Sequence, residues 1–287
     1  MGVFDQPDNF PPILAHGWEI LNSAGPMPMD SLKLMIAPKH FEATAHGSVE
    51  TTLDLGLEMG VFKMRSGQIE NDLKVDAGKS FQVGLRELLF NQNRNPIEKQ
   101  LEQKGNLQLA IAWLMSFNIS DMPGTFNLAT VRQEKDFGTN PQVDWIIPND
   151  TQWRVLIRWT EALGLSLTLP NAPGEPKVIR IDLTQLVRDF VTRNPIKRAI
   201  PALDFVDQLI EYCPVLPGGK VSEYLPERAK ERTTKCSEIV AIALRRLEKE
   251  RVIAFKKEDD TGLGTASFSL SYGQPMTIDK IVAGVAQ

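Results

Sequence analysis

The side chains best equipped for chemistry are few in this 287-residue chain, and their spacing sets up no reaction. His16, His40 and His46 are its three histidines. A zinc site wants a closely spaced ligand pair on one element backed by a further ligand, and none of the three has such companions. Cys213 and Cys236 are too few and too far apart for a zinc ribbon or a disulfide framework, so both are expected as reduced thiols. No Gly-x-Ser-x-Gly elbow occurs, and no serine or cysteine carries a recognisable base partner. Gly218-Gly219-Lys220 lacks the spacing and the trailing Ser or Thr of a P-loop and reads as a turn, while Gly262 and Gly264 read as hairpin-tip glycines. One nuclease-like pattern is present: Pro148-Asn149-Asp150 followed by Glu175-Pro176-Lys177 imitates the acids and lysine that hold Mg²⁺ and activate water. Pro176 would remove a ladder donor from the strand this chemistry needs, and Asp150 stands where a helix wants a cap. The expectation is no catalytic residue, no cofactor and no metal.

Recognition by charge remains. Arg232, Thr233, Thr234 and Lys235 precede an amphipathic run, where hydroxyls, backbone N–H groups and cations suit phosphate. Arg245 and Lys249 follow four apart with Arg246 beside them, and Lys256 and Lys257 stand at the root of a strand-like segment. From Lys220 to Lys257 eleven bases face six acids, a surplus of five. These nine residues are the candidate contacts to duplex DNA. The competing reading is a solvated helix face with ordinary ion pairs, which Glu248 and Glu250 favour. Near the other end SVETTLDLGLEMGVF (Ser48 to Phe62) has the shape of a DNA-reading helix running into a β-wing. Yet it sets Glu50, Asp54 and Glu58 every four residues, opposite an expected core face of Val49, Leu53 and Leu57. From Pro11 to Val75 five bases face eight acids. A phosphate backbone is repelled by such a stripe, so Glu50, Asp54 and Glu58 are expected to dock on protein.

The elements that must position these faces follow from periodicity. Residues 1–11 are polar and proline-bearing and are expected as a loose arm. PPILAHGWEILNSAG reads as a helix with Leu14, Trp18 and Leu21 on one face and Gly25 at its end. MDSLKLMIAP reads as a second, with Leu32, Met35 and Ile36 inward and Pro38 as the stop; Ser48 caps a third. VFKMRSGQIENDLKV alternates around Ser66-Gly67 as a hairpin. The same order recurs from Pro201: a helix to Tyr212 with Leu203, Val206 and Ile210 apolar, the turn LPGGK, a short helical VSEYLPERA, and a third helix striped by Val240, Ala243, Leu244 and Leu247. AFKKEDDTGLGTASFSLS then supplies two wing strands around an acidic, Gly-rich tip. Three short helices and a hairpin are the parts of a winged helix.

Between these ends FQVGLRELLF, IEKQLEQ and LQLAIAWLMSF read as helices, and DMPGTFNLATVRQEKDFGTNPQVD as a loop. Asn149 or Asp150 caps TQWRVLIRWTEALGL, whose inward face is Trp153, Leu156, Ile157 and Leu163; LSLTL and KVIRI read as strands and DLTQLVRDFVTR as a closing helix. The expected fold is mainly α with small β-wings: a winged-helix-like module over 1–78, a helical middle over 79–200 and a winged-helix module over 201–287. A composition 42% hydrophobic and 24% charged belongs to a folded chain rather than a disordered one. The net charge of −4 gives no global pull toward DNA, so any such site must be local. No apolar run reaches about 18 residues. The start MGVFDQPDNF lacks the basic and apolar regions of a secretory signal, and a cytoplasmic protein with no membrane contact is expected.

PNDTQWRVLIRWTEALGL (Pro148 to Leu165), FQVGLRELLF and the turn from Cys213 to Lys220 resemble the DpdG family of bacterial phage-defence islands. The resemblance spans most of the chain from Phe81 onward. It implies an accessory component of systems that install 7-deazaguanine derivatives in DNA and restrict DNA lacking them, working beside helicase-like and nuclease-like partners. Together with the charge pattern this gives the expected function, a non-catalytic DNA-binding adaptor. The alternatives are a purely structural subunit of the tandem winged-helix type that clasps an ATPase without touching DNA, or a transcriptional regulator, which would need a dimer and an operator.

Overall fold

A computed structural model describes residues 3–5, 8–38, 43–75, 80–90, 107–141, 144–169, 178–257, 264–271 and 274–284. Eleven α-helices and four small antiparallel sheets are found among them. The chain divides into two units, residues 1–107 with 149–163 and residues 108–148 with 164–287.

In the first unit Pro11 and Pro12 open α1 (Pro11–Ala24), where the missing N–H groups would have had no helical partner anyway. Leu14 and Leu21 are buried, and Trp18 is held by a hydrogen bond from Nε1 to the Leu73 carbonyl at 3.2 Å and by the Phe81 ring at 5.6 Å. In α2 (Met29–Ile36) Leu32 is buried, but Met35 is 51% exposed rather than inward. On so short a helix Leu32 and Ile36 share one face, and Met35 falls about 100° away from Ile36. The third helix, α3 (Ala43–Met59), begins well before Ser48. Ser48 therefore does not cap it; its carbonyl instead accepts the Thr52 hydroxyl at 2.6 Å within the helix. Val49 and Leu53 are buried as expected, joined by Leu55, while Leu57 is only half-buried.

β1 (Phe62–Arg65) and β2 (Gln68–Asn71) pair with Arg65 opposite Gln68. The linking Ser66 and Gly67 both take positive φ, 52° and 77°, as a two-residue hairpin turn of the I′ kind demands. Met27, between α1 and α2, exchanges two backbone hydrogen bonds with Ile69 and so adds a single-residue bridge to the hairpin. α4 (Phe81–Phe90) and α7 (Asp150–Ala162) complete the unit. Arg86 of α4 is buried and donates to the Leu163 carbonyl at 2.7 Å, at the end of α7. The described part of the arm is not loose: Phe4 is buried, and Asn9 receives the Trp159 indole N–H at 2.6 Å while donating to the Val3 carbonyl at 2.7 Å. Phe10 lies under the Arg158 guanidinium at 4.4 Å.

The second unit holds α5 (Leu107–Met115) and α6 (Phe126–Phe137); α6 occupies the stretch expected to be a loop. Its apolar signal is weak because its two fully buried positions are Ala129 and a glutamine. Gln133 donates to the Ile147 carbonyl at 2.9 Å and accepts the Ile147 N–H at 2.8 Å, serving as a substitute strand. β3 (Ser166–Leu169) pairs with β4 (Val178–Ile181), and α8 (Thr184–Arg193) follows.

Beyond β5 (Ile200–Pro201) come α9 (Ala202–Tyr212), a 3₁₀ turn at Lys220–Tyr224, α10 (Glu227–Lys230) and α11 (Glu238–Lys249). The Cys213–Lys220 turn is architecture. Cys213, Val215 and Leu216 are fully buried, and a Cβ on Gly219 would lie 2.4 Å from the Pro214 carbonyl oxygen. β6 (Ile253–Lys256) does not pair with TASFSLS as expected. Its partner is β9 (Lys280–Ala283), which also receives β5, while β7 (Ala266–Phe268) pairs with β8 (Met276–Ile278) as a separate hairpin. The reason is burial: Phe255 opposite Ile281 closes the floor under α9 and α11, and Ala266, Phe268, Met276 and Ile278 bury one face of the second hairpin. The expected helix IEKQLEQ and the expected acidic tip, including Gly262, lie outside the described residues.

Candidate nucleic-acid interface

Helix α11 carries three of the nine candidate contacts, Arg245, Arg246 and Lys249. Ile239, Val240, Ala243, Leu244 and Leu247 are buried, which turns Arg245, Arg246 and Lys249 to the surface. Three neighbours narrow that surface. α8 packs along one flank, where Arg246 pairs with Asp182 and Arg188 pairs with Glu250. Asp182 is half-buried; burial raises its pKa, but the Thr184 hydroxyl and N–H and then Arg246 outweigh that cost and hold the carboxyl below the usual range. On the opposite flank Arg245 donates from Nε to the Met276 sulfur of β8 at 2.8 Å.

The third neighbour covers the start of the helix. Glu238, the first residue of α11, is 5% exposed and accepts the Ser271 N–H at 2.7 Å, the Ser271 hydroxyl at 2.7 Å and the Ile119 N–H at 3.0 Å. Burial raises its pKa, but the Ser271 and Ile119 donors outweigh it, so the carboxyl sits below its ordinary value. A carboxylate at this position also answers the partial positive charge of the helix start. In helix-turn-helix proteins the N-terminal turn of the reading helix touches base edges. Here that turn is filled by the protein itself.

The residues ahead of α11 are also partly engaged. Arg232 lies 4.2 Å over the Phe117 ring and pairs with Asp136 through Nη2 at 2.5 Å and Nη1 at 2.9 Å; the Asp136 side chain is 2% exposed and also accepts the Trp113 indole N–H at 2.8 Å. The Thr233 hydroxyl donates back to the Lys230 and Ala229 carbonyls, and Thr234 is exposed. Lys235 is exposed and pairs with Asp207 of α9 at 2.6 Å. Lys249, Lys256 and Lys257 are exposed. Charge counting over a sequence window could not find Asp136, Asp182 and Asp207, because all three partners lie outside it.

On α3 the carboxylates Glu50, Asp54 and Glu58 are all exposed on one face. Glu50 receives the Lys33 ammonium of α2 at 2.6 Å, and that hydrogen bond and charge lower its pKa. Leu34 and Met35 of α2 are also exposed, at 43% and 51%.

The catalytic candidates are dispersed. His16 is exposed, and Asp150 occupies the first turn of α7, pairing with Arg154, while the Asn149 side chain caps that helix by accepting the Gln152 N–H at 2.9 Å. Glu175, Pro176 and Lys177 lie outside the described residues. Cys213 is buried, and burial pushes the Cys236 thiol up, away from reactivity. Among the described residues no three His, Cys, Asp or Glu side chains gather as a metal site, and no helix is long and apolar enough to cross a membrane.

A profile of the DpdG-like family matches residues 1–261. No curated protein and no solved structure matches the chain.

Proposed function

Since the chain belongs to the DpdG-like family, which associates it with the Dpd 7-deazaguanine modification system, we propose that it serves there as a non-catalytic DNA-binding adaptor. In this reading two winged-helix modules, 1–78 and 201–287, flank a helical middle over 79–200. Three helices followed by the β1–β2 hairpin at one end, and three helices followed by the antiparallel pair β6–β9 with the β7–β8 hairpin between its strands at the other, support the modules. The observation that carries the functional reading is the opposite polarity of the exposed faces of α3 and α11: Glu50, Asp54 and Glu58 on one, Arg245 and Lys249 on the other.

Duplex DNA is met through its phosphates by Arg245, Lys249, Lys256 and Lys257, with Thr234 and Lys235 at the margin. Arg232, Thr233 and Arg246 contribute through the elements they anchor. With the first turn of α11 covered, the contact is to backbone rather than to base edges, so it is tolerant of sequence. The acidic face of α3, with Leu34 and Met35 on the adjoining helix, suits a protein partner that offers basic and apolar side chains, such as a helicase or nuclease subunit of the same system.

A second reading, a structural subunit without DNA contact, is favoured by the ion pairs Arg232–Asp136, Lys235–Asp207 and Arg246–Asp182, which neutralise part of the positive surface. Fluorescence anisotropy of the purified chain with a random-sequence duplex at several salt concentrations separates the two. The adaptor binds with a logarithmic salt slope of roughly −3 to −4, one step for each of about four phosphate contacts. No binding at low salt would leave the structural subunit as the function.

A further inference from the structure

Helices α3 and α11 end in the same way, on the two backbone bonds of a Schellman turn. At α3 the Gly60 N–H donates to the Leu57 carbonyl at 3.2 Å and the Val61 N–H to the Gly56 carbonyl at 2.8 Å. At α11 the Arg251 N–H donates to the Glu248 carbonyl and the Val252 N–H to the Leu247 carbonyl, both at 2.9 Å. This turn needs a left-handed residue just past the helix. Gly60 takes that place with φ 79°, and Gly164 follows α7 with φ 64°. At α11 the same place, φ 62°, is held by Arg251. A Cβ crowds the backbone in this region, so an arginine is strained there and a glycine is not. Among the described residues the one other non-glycine with positive φ is Ser66, in a two-residue hairpin turn that demands it.

The fold does not need a guanidinium at this corner. The Leu247 and Glu248 carbonyls are already served by the two backbone donors, and Arg246 and Lys249 already set positive charge against the negative end of the helix. The Arg251 side chain is exposed, and among the described residues it makes no hydrogen bond, ion pair or ring contact. Its backbone conformation is imposed by a neighbour. Gly284, just past β9, donates its N–H to the Val252 carbonyl at 3.0 Å, and a Cβ on Gly284 would run into the Arg251 carbonyl. Strain persists where the surroundings over-determine it, and strained residues gather at functional positions.

Resting on the DNA-binding reading above, we propose that Arg251 is a further contact to duplex DNA, its guanidinium placed on a backbone phosphate at the C-terminal end of α11. Arginine is charged at any working pH and takes two phosphate oxygens at once. Chain spacing keeps its Cα within about 7 Å of that of Lys249. In chain order the corner joins the exposed Lys249 of the helix to the exposed Lys256 and Lys257 at the end of β6. It lies at the end of α11 away from the turn that Glu238 and Ser271 close, which agrees with a contact to phosphates rather than to base edges. Stability and binding are then opposed at this one residue: relieving the strain removes the contact.

The test measures two quantities on the full chain: the thermal unfolding midpoint, and the affinity for a fluorescent random-sequence duplex across a salt series. Arg251→Gly is expected to raise the midpoint by about 2 °C, while it weakens duplex binding roughly fivefold at about 0.1 M salt and lowers the salt slope by about one. Arg251→Asn, which tolerates the same φ, is expected to lose as much binding. Arg251→Lys keeps the charge and is expected to keep the wild-type slope, as is Lys74→Gln at an exposed site of the first unit. A midpoint that falls in Arg251→Gly would assign the arginine to the fold and overturn the proposal. Wild-type slope and affinity in that variant overturn the contact while the adaptor reading stands. Loss of co-purification with other proteins of the same system, at an unchanged slope, overturns it in favour of a protein partner. A wild-type chain that does not bind duplex overturns both readings.

Discussion

Helices α3 and α11 are the third helices of two segments with the same order of parts, and they have been given different surfaces by different means. On α3 the carboxylates Glu50, Asp54 and Glu58 are exposed on one face, and Glu50 pairs with Lys33 of α2. On α11 the start is roofed by the segments carrying Ile119 and Ser271, one flank is lined by α8, and the cations emerge over its second half. A helix that follows a hairpin-forming plan is therefore not a DNA-reading helix by that fact. What decides is which groups its neighbours have already consumed.

The largest expected effect breaks the roof. Glu238→Ala would orphan two backbone N–H groups and the Ser271 hydroxyl in a buried setting, and a cost of about 3 kcal/mol in urea unfolding is expected. The pH dependence fixes the cause. The folded pKa of Glu238 is depressed, so its stabilisation is fully present above the ordinary value of 4.5 and is lost as pH falls through the folded value. The stability gap between the wild type and Glu238→Gln should therefore narrow in acid; a gap that stays constant below pH 4.5 would assign the loss to packing instead.

Next in size is the exchange of polarity. Arg245→Glu/Lys249→Glu should weaken duplex binding by roughly tenfold or more and flatten its salt dependence, while leaving the unfolding midpoint near that of the wild type. Glu50→Lys/Asp54→Lys/Glu58→Lys should do the converse: duplex affinity is kept or raised, and co-purification with other proteins of the same system is lost. If the α3 variant loses duplex binding instead, the two faces do not divide the work as proposed.

How far these surfaces were legible in the sequence follows from the range of the interactions that make them. The Ser66-Gly67 hairpin and the buried stripe of α11 are local patterns and could be read directly. The arm could not, because its docking depends on Asn9 meeting Trp159, 150 residues away. The pairing of β6 was misplaced for a related reason: TASFSLS is the nearer β-favouring run, and only the burial of Ile281 against the helices selects β9. Helix α6 was missed because an amide, Gln133, fills the place where an apolar residue would have announced it. For the site, the positions of the cations on α11 were legible, whereas the carboxylates that occupy Arg232, Lys235 and Arg246 come from α6, α9 and the segment before α8.

The smallest expected effect concerns how α11 is anchored. Ser237 stands at its N-cap, where Ser usually accepts a hydrogen bond from the helix, and replacing such a cap by Ala typically costs about 1 kcal/mol. Its side chain makes no cap bond here. The start of the helix is served instead by the Glu238 carboxylate, which ties it to Ser271 and Ile119. Ser237→Ala is therefore expected to change stability by less than about 0.5 kcal/mol, well under the ordinary cap value. Measured beside Glu238→Ala in the same urea titration, the pair asks which of two adjacent residues holds the covered turn in place. A Ser237→Ala loss of the full cap size would mean that the hydroxyl does cap α11, and that the roof over the turn is secondary to it.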